Sequence, residues 1–290
     1  MPERNEYAPG TPSWVDLAAP DLDVAKSFYG GLFGWDTEEA GPQDEVGDYA
    51  FFLLNGKRVC AFGSPSEGEP PSWRTYVAVA DVDETADKVK DAGGEILFGP
   101  ADIMDAGRMV TFKDTEGAIV GAWQPGEHQG AQLVNEPGAI SWNELATGDP
   151  DAAKSFYTEV FGWETEDRDL GEIPYITLKV DDRPVGGMLP LTDKAPEGTS
   201  PHWLPYFAVE DFDAAIEKAG ELDGEVVAPK ADTPAGPFAV LKDPSGAAFA
   251  VIDPSQAAQE SAEADQSEEE DEAKESDEAE ESEEKEESSE

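Results

Sequence analysis

Two short stretches, Ser13–Leu17 (SWVDL) and Ser141–Leu145 (SWNEL), each set a tryptophan two positions before a carboxylate. Both read as β-strands, on which residues i and i+2 share a face. Trp14 therefore lies beside Asp16, and Trp142 beside Glu144. An indole wall excludes water from a carboxyl group, which raises its pKa and suits it to general acid or base work. The structural alternative is a carboxylate that accepts hydrogen bonds from backbone or an arginine and only fixes its strand. The cationic groups able to partner it are few. They are Arg58, Arg74 and Arg108 in the first half of the chain, and Arg183 and His202 in the second.

Other chemistries are short of residues. The chain has two histidines, His128 and His202, so a two-His, one-carboxylate iron site would need both to converge from different halves. A solvated linker His128 and a loop His202 are the expected readings. The single cysteine, Cys60, excludes an intramolecular disulfide and a thiolate metal cluster, and in RVCAF it reads as a small core residue. No GxSxG elbow, phosphate-binding glycine loop or Ser-His-Asp set is present.

The elements that must position these residues occur twice. Trp14–Trp35 aligns without gaps on Trp142–Trp163 with 13 identities in 22 positions, and includes DVAKSFYGGLFGW and DAAKSFYTEVFGW. YVAVADVD (76–83) then matches YFAVEDFD (206–213), and FKDTEGA (112–118) matches LKDPSGA (241–247). Such a period means duplicated domains rather than a solenoid. Residues 10–125 form unit one, 126–136 a polar linker and 137–254 unit two. Within each unit a strand leads to an Asp-capped helix. Ala25, Phe28, Tyr29 and Leu32 form one apolar face, and Gly34 suits the stop. Two strands follow, joined by Asn55-Gly56 in unit one and by Asp181-Asp182 in unit two. The same β-α-β-β-β order then recurs, twice per unit. Phe28, Tyr29, Trp35 and their counterparts Phe156, Tyr157 and Trp163 read as helix-to-sheet packing.

Sixty-six acidic residues face 19 basic ones over 290 residues, a net charge of −47. The segment 255–290 holds 18 acids and two lysines, so −31 remains on the rest. This segment has no aromatic or β-branched residue and is expected to be disordered, a solubility brush or an electrostatic contact for a basic protein. The acidic coat of the remainder disfavours nucleic acid and anionic membranes as partners. Its self-repulsion is screened in concentrated salt, as expected of a halophilic cytoplasmic protein, the alternative being an acidic mesophilic or actinobacterial one. No apolar run is long enough for a membrane span, and the N-terminal residues lack a signal-peptide core.

The helix phrases, the VAVADVD and FAVEDFD starts and the KDTEGA and KDPSGA turns together resemble the vicinal-oxygen-chelate superfamily. That superfamily includes glyoxalase I, bleomycin-resistance proteins, extradiol dioxygenases and related hydroxylases, and the likeness covers both copies. It implies an α+β fold: two tandem domains, each built from paired βαβββ modules whose curved sheet encloses a small-molecule cavity. It also implies where metal ligands would stand: at Trp14 and Trp142 on the first strands, near Thr75 and Pro205 on the middle strands, and at Gly121 and Ala250 on the last. None of these residues is a good ligand for a divalent ion. The expectation is thus a protein without a bound metal, with Fe, Mn, Ni or Zn held by other donors as the alternative. Trp14 and Trp142 then point into the cavities beside Asp16 and Glu144. Trp73 and Trp203 either grip a flat ligand at the rim, flanked by Arg74 and His202, or cover the core. The expected function is binding of an apolar or aromatic organic compound. The alternative is a lyase, hydroxylase or dioxygenase-type enzyme using Asp16 or Glu144 as acid or base. The chain is expected to act as a monomer with its two domains packed together, or as a dimer.

Overall fold

The computed structural model describes residues 3–169, 174–192 and 198–257. The predicted disorder of 255–290 thus falls almost wholly outside the described residues. Unit one runs β1 (Pro12–Ala18), α1 (Leu22–Phe33), β2 (Asp36–Glu39), the single turn α2 (Gln43–Val46), β3 (Ala50–Leu54) and β4 (Lys57–Gly63). It continues with β5 (Ser72–Ala78), α3 (Val82–Asp91), β6 (Glu95–Ile103), β7 (Gly107–Lys113) and β8 (Ile119–Pro125). Unit two repeats this as β9 (Ile140–Thr147), α4 (Pro150–Phe161), β10 (Glu164–Asp169), β11 (Pro174–Val180) and β12 (Arg183–Pro190). Its second half is β13 (His202–Ala208), α5 (Phe212–Glu221), β14 (Glu225–Ala231), β15 (Phe238–Lys242) and β16 (Ala248–Ile252). Each unit forms one eight-stranded sheet, ordered β2-β3-β4-β1-β5-β8-β7-β6 and β10-β11-β12-β9-β13-β16-β15-β14. Both are therefore tandem α+β domains of paired βαβββ modules.

Local sequence dictates the helix limits. Asp21, Asp81, Asp149 and Asp211 each cap a helix through a side-chain oxygen that accepts backbone N–H groups of the first turn. Helices α1 and α4 stop at Gly34 and Gly162, both left-handed at φ 71° and 72°. Among the described residues no helix is long and apolar enough to cross a membrane.

The units do not fold on separate cores. Phe28, Tyr29 and Phe52 of unit one share a cluster with Phe207, Phe212 and Phe249 of unit two. Conversely Val77, Val89 and Phe112 of unit one pack with Phe156, Tyr157 and Trp163 of unit two. The first half of each unit is therefore packed on the second half of the other. Hydrogen bonds follow the same cross pattern. Trp73 Nε1 donates to Tyr29 Oη (2.9 Å), which donates to Asp243 Oδ2 of the other unit (3.1 Å). Trp203 Nε1 donates to Tyr157 Oη (2.9 Å), which donates to Asp114 Oδ2 (2.8 Å). Each aspartate also fixes its own turn, Asp114 Oδ1 accepting from Glu116 and Ala118 N–H, and Asp243 Oδ1 from Ser245 and Ala247 N–H. Trp35 Nε1 donates to Gly138 O and Trp163 Nε1 to Gly10 O, again across units.

The segment between the units is not a loose connection. Ala131 and Gln132 N–H donate to Ser13 O and Arg58 O, and Tyr7 Oη to Ala131 O, while Leu133 is buried. This strap lies along unit one and carries His128 to the mouth of its sheet.

Candidate functional site

In the sheet of unit one, Trp14 faces Tyr76 and Asp16 faces Arg74 across the β1–β5 pair. Cross-strand partners share a face, so these four side chains project together from the sheet. They line a cavity of about 800 Å³, within the range of small-molecule sites. Tyr49, Phe51, Met109, Trp123 and His128 complete much of its wall. Tyr76 Oη donates to Asp16 Oδ2 (3.0 Å), and Tyr49 Oη reaches the same oxygen at 3.4 Å. Behind them Trp14 Nε1 donates to Tyr49 Oη (3.3 Å), and Arg74 Nη1 to Tyr76 Oη (3.2 Å). Arg74 is further paired with Glu69. Burial raises the Asp16 pKa above the usual carboxylate range, against the opposing pull of Arg74 and the Tyr76 hydroxyl. The same burial holds Tyr49 and Tyr76 protonated, as donors.

Unit two repeats the tryptophan, the carboxylate and the two tyrosines as Trp142, Glu144, Tyr206 and Tyr175. Tyr206 Oη donates to Glu144 Oε1 (2.6 Å), and Trp142 Nε1 to Tyr175 Oη (2.8 Å), with Tyr175 also bonded to Glu144. Burial raises the Glu144 pKa, and among the described residues no cation stands beside it, because Leu204 takes the register of Arg74. Glu144 is 8% exposed, whereas Asp16 is only half-buried and lines its cavity.

Strand alternation corrects part of the sequence reading. Trp73 and Trp203 lie on the opposite face from Arg74 and Tyr76. They are buried in the cross-unit cores, donating to Tyr29 and Tyr157, and are not rim residues. Thr75 also faces away from the cavity and bonds Asn143 of unit two (2.8 Å). The residues flanking Asp16 on the middle strand are Arg74 and Tyr76. Arg58 stands over the Phe51 ring at 4.1 Å and bonds Glu38 through Nε (3.1 Å), at the cavity wall. Arg108 pairs with Asp83 and Asp102, and Arg183 with Asp181, so neither partners a candidate carboxylate. His202 is half-buried at the start of β13, its Nδ1 2.8 Å from Ser200 O.

His128 is the residue that sequence reasoning missed. Its ring lies edge-on to Trp14 at 4.4 Å, near Phe51 and Trp123, rather than in solvent. Trp123 Nε1 donates to its carbonyl (2.9 Å), and its N–H donates to Ala106 O. Burial, with Arg58 adding repulsion, lowers its pKa to about 4. The folded chain thus declines a proton that the unfolded chain accepts near pH 6.5. Stability is therefore present above that value and lost as pH falls from about 6.5 toward 4. After allowance for partial exposure the loss is about 2 kcal/mol. Urea melts of wild type and His128→Phe at pH 7 and 4.5 check this, the variant lacking that share of the acid sensitivity.

The positions implied for a metal do not fit one. The first-strand positions are indoles. A β-carbon at Gly121 would lie 2.2 Å from Tyr76 Cδ1, so the tyrosine ring occupies the space in front of the last strand. Among the described residues no group of three His, Cys, Asp or Glu side chains is placed to hold an ion.

The chain belongs to the Glyoxalase/Bleomycin resistance protein/Dioxygenase superfamily, whose sequence profile matches residues 11–120 and 139–251. Within it, the chain is 45% identical over 262 residues to "Putative glyoxylase CFP32" of Mycobacterium bovis, covering 88% of this chain and 99% of that protein. It is 36% identical to "Anthracycline biosynthesis protein DnrV" of Streptomyces peucetius, over 85% of this chain and 94% of the relative. Among solved structures, the Mn(II)-bound glyoxalase from Novosphingobium aromaticivorans superposes with a TM-score of 0.60 at 18% identity, covering 85% and 82% of the two chains. The 2,2',3-trihydroxybiphenyl 1,2-dioxygenase of Sphingomonas wittichii gives 0.59 at 15%, covering 84% and 90%. These two likenesses speak to the fold alone.

Proposed function

We propose that the protein binds a flat, largely apolar organic molecule without a resident metal. The observation that carries this is the 800 Å³ cavity of unit one, walled by Trp14, Phe51 and Trp123 and based on Asp16 with its two tyrosines. Aromatic walls supply area and stacking, and the Asp16 cluster orients the ligand's polar end. A Streptomyces relative named for anthracycline biosynthesis supports a polycyclic aromatic ligand. Titration with 9,10-anthraquinone is expected to quench tryptophan emission, and Trp14→Phe to reduce the quench. A quench absent from wild type, or unaltered by this substitution, would count against the reading.

A second reading, an enzyme, is favoured by one observation: Asp16 is both raised in pKa and open to the cavity. There it would exchange a proton with a bound substrate while Tyr49 and Tyr76 hold its geometry. The acid-rich composition supports a cytoplasmic, high-salt setting, with nucleic acid and membranes repelled. The thermal midpoint should rise with KCl up to molar concentration; a flat dependence would remove the halophilic part of the proposal.

A further inference from the structure

Two polar atoms at the unit-one cavity have no hydrogen-bond partner and are shut off from solvent: Arg74 Nε and His128 Nε2. Both residues line the cavity. Leu204 replaces Arg74 in unit two, and His128 comes from the strap between the units. The two carboxylate clusters also close differently. In unit two Tyr175 lies on Gly187, where a β-carbon would be 1.8 Å from its hydroxyl. The equivalent register in unit one, opposite Asp16, is Ala61, and Tyr49 packs instead on Gly63. Tyr175 is thereby folded down over the buried Glu144, while Asp16 stays open to its cavity.

We propose that ligand recognition belongs to unit one, whose cavity takes an uncharged aromatic molecule bearing a carbonyl and a hydroxyl, the carbonyl accepting from Arg74 Nε and the hydroxyl pairing with His128 Nε2. This rests on the aromatic-binding reading above and deepens it. Arg74 Nε only donates, so its partner is an oxygen acceptor. The guanidinium already faces Asp16 and Glu69, and Asp102, Asp105 and Glu127 add further negative charge to the lining. An anionic ligand is repelled there, which leaves a neutral carbonyl. A neutral imidazole nitrogen donates or accepts according to tautomer, and a hydroxyl satisfies either. The Trp14 and Phe51 rings that contact His128 supply aromatic surface beside it. Both atoms lie under the lining, so side-chain adjustment accompanies binding.

The test compares 1,4-dihydroxyanthraquinone, 9,10-anthraquinone and anthraquinone-2-carboxylate by fluorescence titration of the full chain. The expected result is one ligand per chain, with the hydroxylated quinone about tenfold tighter than the plain one and the carboxylate weakest. His128→Phe should abolish the tenfold preference, with far-UV circular dichroism and a urea melt at pH 7 reporting that the variant is folded. Arg74→Met should weaken both neutral quinones. Two equal sites per chain, or a hydroxyl preference that survives His128→Phe, overturns the proposal. If both neutral quinones bind wild type equally, only this inference falls. If neither binds, the aromatic-binding reading falls with it.

Discussion

Tyr29→Phe and Tyr157→Phe are each expected to destabilise the chain by about 2 kcal/mol, and together by about 4 kcal/mol. Each change removes a single oxygen, yet that oxygen joins three elements. Without the Tyr29 hydroxyl, the indole N–H of Trp73 and one oxygen of Asp243 lose their partner inside a core that water does not reach. The ring itself is retained, so the loss reports the hydrogen bonds rather than a cavity. Burial holds the Tyr29 and Tyr157 hydroxyls protonated far above the working pH, so both remain donors throughout. Against a typical total of ~5–15 kcal/mol, the double variant should lose a large share of its stability. Urea melts give the answer directly. A double variant within about 1 kcal/mol of wild type would mean that the aspartates and indoles find other partners.

Asp16→Asn should separate stability from function. The folded-state pKa of Asp16 is raised, so between the ordinary carboxylate range and that raised value the folded chain holds more protons than the unfolded one. Stability from this group is thus present in acid and lost as pH rises through the folded pKa. Asparagine cannot ionise and keeps an oxygen to accept from Tyr76, so the variant should be as stable as wild type at pH 7 or more so. The advantage should vanish in acid, where the aspartate is itself neutral. If Asp16 is the acid or base of a reaction, turnover of an identified substrate falls about 100-fold or more. Unchanged turnover would remove the acid–base reading. A destabilised variant would show instead that the ionised carboxylate, held by Arg74, secures the strand.

The repeat phrase, the Asp caps and the turn glycines were enough to place the four Asp-capped helices, though not the single turn α2, because these signals act within a few residues of where they are written. The indole beside a carboxylate was also legible, since alternation along one strand needs no knowledge of its neighbours. The faces of the middle strands were harder. Counting to Thr75 rather than Arg74 moved the whole strand by one residue, and in a period of two that exchanges cavity for core. Trp73 and Trp203 were left open between gripping a ligand and covering the core, and they serve the cross-unit packing. The alternation Ser72, Arg74, Tyr76 against Trp73, Thr75, Val77 was present in the sequence, but both sets contain large side chains. His128 was hidden for a different reason. Its place depends on the strap pairing with Ser13 and Arg58, contacts distant in sequence for which a polar stretch gives no local signal.

The cross-packing of half-units has an evolutionary consequence. Two identical copies meeting about a two-fold axis would make each contact twice, and any substitution would strike both cavities at once. Joined in one chain, the copies can vary separately. One can keep Ala61 and an open carboxylate while the other takes Gly187 and a tyrosine folded over its own. Trp73–Tyr29–Asp243 and Trp203–Tyr157–Asp114 stay matched throughout, since each half still has to fit its counterpart. Fusion thus lets the pockets diverge while the shared interface holds them to one shape.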